Sequence, residues 1–338
     1  MGFQSHPRGK LFARTCRALD TVIDDTIVLS YGNTGYKFRQ ALLWNHADLN
    51  VDLTDKVCAI TGANSGIGLA AARQLARRGA TIYLLARNLE RGAAAQARIS
   101  AEAGHARVYL EAIDLSSQAS VRACADRIKL QTQRLDVLIN NAGDAFDCRE
   151  LSIDGVELTF ATNVLGPFAL TNALLPLLQA SAPARLINVS SGGMYLAKLD
   201  LNDLQFERKK YDELMAYAQS KRALMMLTEL WAEQLKPSGV TANCVHPGWV
   251  DTPLLQTGLP AFRQSLRSIL RTPDEGADTI VWLAAARQAE SVTGRFWFDR
   301  RERAAHKIFL TRSSPADYRR LWKECVRLTQ NSKNRELT

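Results

Sequence analysis

Short apolar runs alternate with longer helical patterns along the middle of the chain, starting near residue 56. The runs have the length and the β-branched content of buried strands, whereas the stretches between them, such as 89–103, repeat apolar residues at helical spacing. The predicted strands are 57–61, 81–86, 107–113, 137–140, 185–190, 241–245 and 295–299. This alternation predicts the α/β class, with a doubly wound parallel sheet whose right-handed crossovers place helices on both faces.

Both ends of the chain lie outside this pattern, so we expect a single domain at 51–312 with N- and C-terminal extensions. Residues 1–50 begin with basic side chains and carry an apolar run at 26–29. This predicts either packing on the domain or association with a membrane interface. In the tail, 313–338, apolar residues recur at helical spacing from Tyr318 to Leu328, which predicts a helix.

Composition and charge bear on location and partners. The six cysteines are scattered, with no cysteine–histidine cluster at metal spacing. We therefore expect no metal site and a reducing, cytoplasmic compartment. The net charge is +9, with much of the basic excess late in the chain. That excess fits a solvated surface or a contact with anionic lipid, and we expect no nucleic-acid partner because no nucleic-acid motif accompanies it.

One uncharged run, 164–184, is long enough to be considered as a membrane span. It contains Pro167 and Pro176 and lies between two motifs that must share one fold. We therefore predict a buried or dimer-forming helix at this position.

A glycine-rich sequence follows the first predicted strand and opens the first predicted helix. It reads Thr61-Gly62-Ala63-Asn64-Ser65-Gly66-Ile67-Gly68. Glycines in this context let the backbone turn sharply and approach a pyrophosphate, which binds at the N-terminus of the helix. The strand–turn–helix context distinguishes the motif from an ordinary glycine-rich turn and predicts a Rossmann-type dinucleotide site.

The second predicted strand ends at Ala86-Arg87-Asn88, where NAD-binding folds usually carry an acidic residue for the ribose hydroxyls. Its absence, with Arg87 available for a 2′-phosphate, favours NADP(H) over NAD(H). The alternative is that Arg87 stacks on adenine or faces solvent.

Two further loops complete the predicted nucleotide site. Asp114 and Leu115 follow the third strand, where Asp114 meets the adenine, caps the next helix, or does both. Asn141, Ala142 and Gly143 follow the fourth strand, at the carboxyl edge where such sheets bind ligands.

Tyr217 and Lys221 are four residues apart in a helical stretch, so they share one face of the helix. A free tyrosine, with a pKa of about 10, is a poor acid–base group at neutral pH. A neighbouring ammonium lowers that pKa by favouring the tyrosinate. The pair is compatible with an acid–base site, although a tyrosine and a lysine at this spacing are also common on surface helices.

These motifs, in this order, resemble the short-chain dehydrogenase/reductase (SDR) family over roughly residues 54–300. A finer likeness is to its retinol-dehydrogenase-like branch and the subgroup of family member 12. That likeness is carried by Ser191-Gly192-Gly193-Met194, Asn202-Asp203-Leu204-Gln205, His246-Pro247-Gly248-Trp249, Gly294-Arg295-Phe296 and Ser313-Ser314-Pro315-Ala316.

The resemblance implies an enzyme that moves a hydride between a nicotinamide and a carbonyl or alcohol. It gives Tyr217 the acid–base role, Lys221 the support of Tyr217, Ser191 a hydrogen bond to the substrate oxygen, and Asn163 a water in a proton relay. Ser190 is then structural. The loop after the sixth strand implies nicotinamide contacts from Pro247, Gly248, Val250 and Thr252.

Residues 253–273 correspond to the substrate lid of the family. An apolar stripe on this segment fits a lipophilic substrate, such as a retinoid, a steroid or a fatty aldehyde, or else simple packing of the lid. Family habit also implies a homodimer through the helices at 164–179 and 217–235. The alternative functions are a catalytically idle NADP(H)-binding scaffold and a membrane-surface or partner-binding protein.

Overall fold

A sheet of eight strands forms the centre of the computed structural model, which describes residues 7–258, 260–307 and 311–336. The strands are β1 Val57–Thr61, β2 Thr81–Ala86, β3 Val108–Ala112, β4 Val137–Asn140, β5 Ala184–Val189, β6 Val240–Val245, β7 Phe296–Phe298 and β8 Arg301–Arg303. The spatial order is β3-β2-β1-β4-β5-β6-β7-β8, in which the first seven are parallel and β8 runs antiparallel to β7. The predicted α/β class and doubly wound sheet are confirmed.

The strand predictions differ from the structure mainly at the final edge. The run predicted at 295–299 is a three-residue strand followed by a tight reversal, in which Asp299 and Arg300 adopt positive φ angles of 50° and 55°. The antiparallel β8 after this reversal was not predicted, because Arg301, Glu302 and Arg303 carry no apolar alternation. Most of the other strands agree within one residue with the apolar runs.

Helices cover both faces of the sheet, which is why the parallel strands are almost entirely buried. The helices are α1 Pro7–Asp25, α2 Ile27–Tyr31, α3 Asn33–Leu42, α4 Gly66–Ala76, α5 Leu89–Ala103, α6 Gln118–Gln131, α7 Leu158–Phe160, α8 Gly166–Ala180, α9 Glu213–Leu235, α10 Pro253–Gly258, α11 Pro260–Leu266, α12 Pro273–Ala285 and α13 Pro315–Glu336. Side chains of α4, α5 and α12 fill the core on one face, and those of α6, α8 and α9 fill the core on the other.

The N-terminal helices α1 to α3 are tied to the rest of the fold by buried ion pairs. The guanidinium of Arg39 lies 2.6 Å from carboxylate oxygens of both Asp20 and Asp299, and its side chain is 1% exposed. Arg271 pairs with the other oxygen of Asp299, also at 2.6 Å. Removing one member of such a cluster leaves an uncompensated buried charge, so the extension and the reversal after β7 stabilise each other.

The C-terminal helix α13 packs against the helical face that includes α8 and α9. Trp322 makes edge contacts with Phe168 of α8 and Trp231 of α9, at centroid distances of 4.9 and 6.0 Å. Leu321 and Cys325 of the same helix are fully buried in that core. The apolar side chains of the tail therefore have intramolecular partners.

Among the described residues, one helical run, Leu158–Ala180, is long and apolar enough to cross a membrane by its length and composition. Within this run, 67% of the most apolar window is buried inside the fold. This matches the buried helix predicted for the uncharged segment.

Candidate functional site

The loops that follow β1, β4, β5 and β6 converge at the carboxyl edge of the sheet, where doubly wound sheets bind ligands. The first of these loops contains the glycine-rich sequence. Gly62 and Gly66 have φ angles of +66° and +51°, which side chains rarely adopt. A Cβ on Gly68 would lie 2.4 Å from the carbonyl oxygen of Gly62. These glycines are therefore required by a sharp turn and by close helix–strand packing.

The N-terminus of α4 is open to a ligand. Ser65 occupies the N-cap position, but its side chain makes no capping hydrogen bond, and the described first turn contains no acidic side chain. Asn64, Ser65 and Ile67 are partly exposed around this end of the helix. An uncapped helix N-terminus behind a glycine turn fits the pyrophosphate of a dinucleotide, because its free N–H groups and its dipole favour an anion.

The loop after β4 is fastened to the glycine turn through Thr61. The hydroxyl of Thr61 accepts the N–H groups of Asn141 and Ala142, each at 3.0 Å, and the Asn141 side chain donates to the Thr61 carbonyl. A Cβ on Gly143 would lie 2.6 Å from Nζ of Lys221. The loop therefore runs directly from the glycine turn to the lysine, where only glycine leaves room.

The end of β2 presents a free cation. Arg87 is exposed and has no ion pair or hydrogen bond within the described part of the chain. The neighbouring Asn88 caps α5 by accepting the N–H of Arg91 at 2.8 Å, so Asn88 is used locally. Arg87 remains available for a ligand.

Asp114 has a local structural role. Its carboxylate accepts the N–H and the hydroxyl of Ser116, and its own N–H donates to Ser120. The cap of α6 is Ser117 rather than Asp114. Leu115 is buried, and a Cβ on Gly166 would lie only 2.4 Å from its carbonyl oxygen, so this loop packs tightly against the start of α8.

Tyr217 and Lys221 lie on the same face of α9, as their spacing predicts. Lys221 is 3% exposed, and its Nζ donates to the carbonyl oxygen of Val189 at 3.1 Å. The same Nζ is 5.6 Å from the centre of the Tyr217 ring. Burial lowers the pKa of Lys221 to about 8, so the side chain stays predominantly cationic at neutral pH.

Burial acts on Tyr217 in the opposite direction and raises its pKa to about 12. A hydrogen bond from Ser191 partly offsets this rise, whereas the charge of Asp144 adds to it. The phenol is therefore protonated at neutral pH. Ser191 lies next to it, because a Cβ on Gly193 would be 3.4 Å from the Ser191 hydroxyl and 3.9 Å from the Tyr217 ring.

The two consecutive serines have different surroundings. Ser190 is buried, and its hydroxyl donates to the carbonyl of Lys221 at 2.9 Å, which links the end of β5 to α9. Ser191 is partly exposed, and its hydroxyl accepts the N–H of Gly193 at 3.1 Å. Only Ser191 is positioned to meet a bound molecule.

Asn163 is fully buried in a single π-helical turn, Ala161–Leu165, inserted between α7 and α8. Its side-chain oxygen accepts the N–H of Asp144, and its side-chain nitrogen donates to the Asp144 carbonyl, both at 2.8 Å. The nitrogen also donates to Ser220, the neighbour of Lys221, at 3.0 Å. Such a turn widens a helix locally and frequently occurs at functional sites.

Other tyrosines near the site are committed to structural hydrogen bonds. Tyr195 donates to the carbonyl of Ala304, and Tyr211 donates to the carbonyl of Phe146. Neither has a lysine four residues further on.

The loop after β6 packs over the glycine turn. Gly248 has a φ angle of +86°, and a Cβ on Gly66 would lie 3.5 Å from the Thr252 side chain. Val250 is buried and pairs in a short parallel bridge with Arg271. Pro247 opens this loop, and Thr252 lies at its end beside the glycine turn.

The lid segment consists of α10 and α11, followed by a return to the core. Arg263 pairs with Asp251 at 2.7 Å, which fastens α11 to the loop after β6. Leu266 and Ile269 are partly buried. Arg271 lies beyond α11, which ends at Leu266, and is 1% exposed in the ion cluster with Asp299. Leu259 lies outside the described residues, as does the side chain of Phe262.

His246 and Tyr31 border this cleft, and sequence reasoning assigned them no role. The His246 ring accepts backbone N–H groups of the loops after β5 and β6. Tyr31 comes from α2 and packs on that ring. The only sequence signal for His246 is its place before Pro247-Gly248, and Tyr31 carries no periodic signal at all.

Comparison with known proteins agrees with this geometry. Residues 56–260 match the family model described as short chain dehydrogenase. Dehydrogenase/reductase SDR family member 12 of Bos taurus is 43% identical over 81% of this chain and 86% of its own length. Retinol dehydrogenase 11 of Mus musculus is 38% identical over 78% of this chain and 84% of its own length.

A solved structure, the Pseudomonas aeruginosa RhlG/NADP active-site complex, has a TM-score of 0.62 and 28% sequence identity to this chain. The similarity covers 75% of this chain and 96% of that one. The fold, the family model and the relatives point the same way: this chain belongs to the short chain dehydrogenase family and is an oxidoreductase, similar to family member 12.

Proposed function

We propose that the chain is an NADP(H)-dependent carbonyl reductase or alcohol dehydrogenase whose catalytic residues are Asn163, Ser191, Tyr217 and Lys221. The observation that carries this proposal is that Tyr217 and the buried Lys221 ammonium share one face of α9, with Ser191 next to the Tyr217 ring. A bound nicotinamide would supply or accept the hydride, and its oxidised ring would add positive charge next to the phenol.

The chain's own residues account for the proton. In the reductive direction, Tyr217 donates its phenolic proton to the substrate oxygen as charge develops there. Ser191 donates a second hydrogen bond to the same oxygen and stabilises that charge. The Lys221 ammonium stabilises the resulting tyrosinate electrostatically, and the buried Asn163 holds the loop of Asp144 and the neighbouring Ser220 in place. Oxidation is the reverse.

The nucleotide site is assigned to the loops at the carboxyl edge. The proposed cofactor contacts are Gly62, Asn64, Ser65, Gly66, Ile67, Gly68, Arg87, Asp114, Leu115, Asn141, Ala142, Gly143, Tyr217, Lys221, Pro247, Gly248, Val250 and Thr252. The unpaired Arg87 supports a preference for NADP(H), because a guanidinium binds a 2′-phosphate with charge-assisted hydrogen bonds. The similar RhlG structure is a complex with NADP, which is consistent with that choice.

We further propose a lipophilic substrate, bound between the cleft and the lid at 253–273 of a catalytic domain spanning 51–312. The partly buried Leu254, Leu255, Leu266 and Ile269 support this, as does the name of retinol dehydrogenase 11. The experiment compares aldehydes of increasing chain length. Each buried methylene contributes about 0.8 kcal/mol, so kcat/KM should rise about fourfold per added carbon until the pocket is filled. A flat series would contradict a lipophilic substrate.

We also propose that the protein contacts a membrane surface through its N-terminal helices. Leu19, Val22, Ile27, Val28 and Leu29 are exposed large apolar side chains on the N-terminal helices. Exposed apolar side chains grouped in this way favour interfacial binding, and the neighbouring exposed Arg17 favours anionic lipid. Flotation with anionic vesicles tests it, since an intact protein that stays with the soluble fraction excludes the contact.

Helix α13 argues against the homodimer that the family resemblance implies. Because Trp322 already packs on Phe168 and Trp231, part of the surface of α8 and α9 is occupied within the chain. We propose a monomer, with a dimer as the contrary outcome of sedimentation.

A further inference from the structure

Three loops border the proposed active site, and the N-terminal segment Tyr31-Gly32-Asn33 contacts all of them. The Tyr31 ring lies against Gly192, beside Ser191, where a Cβ would be only 2.6 Å from its Cε2 atom. The Tyr31 carbonyl accepts the N–H of Trp249 in the loop after β6, at 2.9 Å. Asn33 donates its N–H to the carbonyl of Ile269 at the end of the lid, at 2.8 Å.

His246 connects the first two of these loops. Its Nδ1 accepts the N–H of Gly192 at 3.0 Å and that of Gly248 at 3.4 Å. Because both partners are donors, Nδ1 carries no proton, and the ring is the neutral tautomer with its proton on Nε2. One ring nitrogen therefore holds the residue after Ser191 and the turn of the proposed nicotinamide loop.

The surroundings keep this ring in one orientation. Phe298 stacks on it with a centroid distance of 4.9 Å, and Tyr31 meets it edge-on at 4.5 Å. The side chain is 3% exposed, and Nε2 has no hydrogen-bond partner in the described structure. Charged groups facing the ring are Arg271, Asp299 and Lys307, and burial lowers its pKa to about 3.

We propose that His246 is a positioning residue, which fixes the distance between Ser191 and the nicotinamide loop through its Nδ1, and that Tyr31 of the N-terminal extension holds its ring in place. The inference rests on the proposed function for its catalytic meaning. The hydrogen bonds from one imidazole nitrogen to two loops can be tested without measuring turnover.

The energetic reason is the alignment of groups on separate loops. Ser191 follows β5 and Gly248 follows β6, so their mutual placement depends on the loop backbone beyond each strand. Misplacing a reacting group by about 1 Å costs up to about 100-fold in rate. Because Nδ1 of His246 accepts hydrogen bonds from both loops, it restricts their movement relative to each other.

The test compares three variants of the full chain. His246→Asn retains an acceptor oxygen close to the position of Nδ1, whereas His246→Leu has similar size and no acceptor. Val245→Ala is the matched control. Val245 is the residue of β6 that precedes His246, and it is fully buried in the core on the α4, α5 and α12 face of the sheet. The substitution creates a cavity and leaves the His246 side chain unchanged.

Amide hydrogen exchange is measured first, on protein without substrate. We expect His246→Leu to exchange about fivefold faster at both Gly192 and Gly248, because it loses hydrogen bonds of about 1 kcal/mol each. His246→Asn and Val245→Ala should stay close to wild type at these amides. Wild-type exchange at both amides in His246→Leu would overturn the proposal.

Turnover is measured second. We expect kcat to fall about 10- to 100-fold in His246→Leu, with NADPH binding within threefold of wild type and most of kcat restored in His246→Asn. A loss equal in His246→Leu and His246→Asn would overturn the positioning role. Retained turnover in Tyr217→Phe would instead overturn the proposed function and leave the exchange result standing.

If His246→Leu does not fold, nitrogen NMR of the wild-type protein decides the matter. The resonance of Nδ1 should be that of an unprotonated, hydrogen-bonded nitrogen at pH 6. A protonated Nδ1 would contradict the proposal.

Discussion

The backbone N–H of Trp249 donates to the carbonyl oxygen of Tyr31 at 2.9 Å, and the rings of these two residues meet edge-on at 5.8 Å. Trp249 belongs to the proposed nicotinamide loop, and Tyr31 belongs to the N-terminal extension. The extension therefore packs directly against a loop of the proposed active site. A deletion of residues 1–50 would remove partners of this loop as well as any membrane contact.

The first prediction concerns the ion cluster that holds the extension. Arg39→Met removes the buried partner that Asp20 and Asp299 share, so that Asp299 keeps Arg271 and Asp20 keeps Arg301. Breaking a buried ion pair in this way costs about 3–5 kcal/mol of unfolding free energy. Lys37→Met, at an exposed position of the same helix, should change stability by less than about 0.5 kcal/mol. Urea denaturation followed by circular dichroism compares the two. Equal stability of both variants would show that the extension is only loosely attached.

The second prediction concerns the cost of the buried lysine. A pKa lowered from 10.5 to about 8 means that charged Lys221 destabilises the fold by about 3 kcal/mol. Lys221→Met removes this cost but leaves the Val189 carbonyl without its donor, at about 1 kcal/mol. We expect the variant to be about 2 kcal/mol more stable than wild type at pH 7 and to lose turnover.

The pH dependence of the unfolding free energy tests whether the charge on Lys221 causes this cost. The unfolded chain binds more protons at Lys221 than the folded one between about pH 8 and 10.5, so wild-type stability gains from this group as pH rises through that window. The advantage of Lys221→Met should be full below pH 8 and shrink above it. Lys210→Met, at an exposed position, should show no such pH-dependent difference. A constant advantage across the window would contradict the assigned cause.

The third prediction concerns cofactor choice. Arg87→Ala should weaken NADPH binding about 10- to 100-fold, the equivalent of one or two charge-assisted hydrogen bonds, and leave NADH binding unchanged. The exposed Arg91 supplies the control, because Arg91→Ala removes a nearby cation without affecting the end of β2. Fluorescence titration of the two nucleotides measures the ratio. Equal weakening of NADH would mean that Arg87 stacks on adenine.

The fourth prediction concerns the C-terminal helix. Wild type should sediment as a monomer, because Trp322 covers part of α8 and α9. Trp322→Ala should lose less than the about 3–5 kcal/mol typical of a fully buried tryptophan, since Trp322 is only partly buried. It should also associate as concentration rises. The exposed Arg319 offers a control on the same helix in Arg319→Ala. A wild-type dimer would contradict this account.

Sequence patterns predicted the sheet well because both of its faces are buried. Strands such as β1 and β2 are continuous apolar runs, and their ends match the predicted boundaries. The glycine turn was predicted equally well, because the backbone geometry requires Gly62, Gly66 and Gly68. The spacing of Tyr217 and Lys221 also placed them correctly on one helix face.

Other features depend on contacts between residues distant in sequence, which no local pattern records. The Arg39–Asp299 pair spans most of the chain, and Arg271 joins the same cluster from beyond the lid helices. Asn163, in the π-helical turn, bonds to Asp144, which lies 19 positions earlier in the chain. His246 likewise acquires its partners only when β5 and β6 are side by side.

The measurement that tests the central claim most directly is carbonyl reduction by wild type and Tyr217→Phe, with NADPH binding measured on the same samples. Tyr211→Phe is the control, since that hydroxyl is committed to a structural hydrogen bond with the Phe146 carbonyl. We predict that Tyr217→Phe loses about 10²–10⁴-fold in kcat, the contribution of a general acid, while binding NADPH within threefold of wild type. Undiminished turnover in Tyr217→Phe would contradict the account.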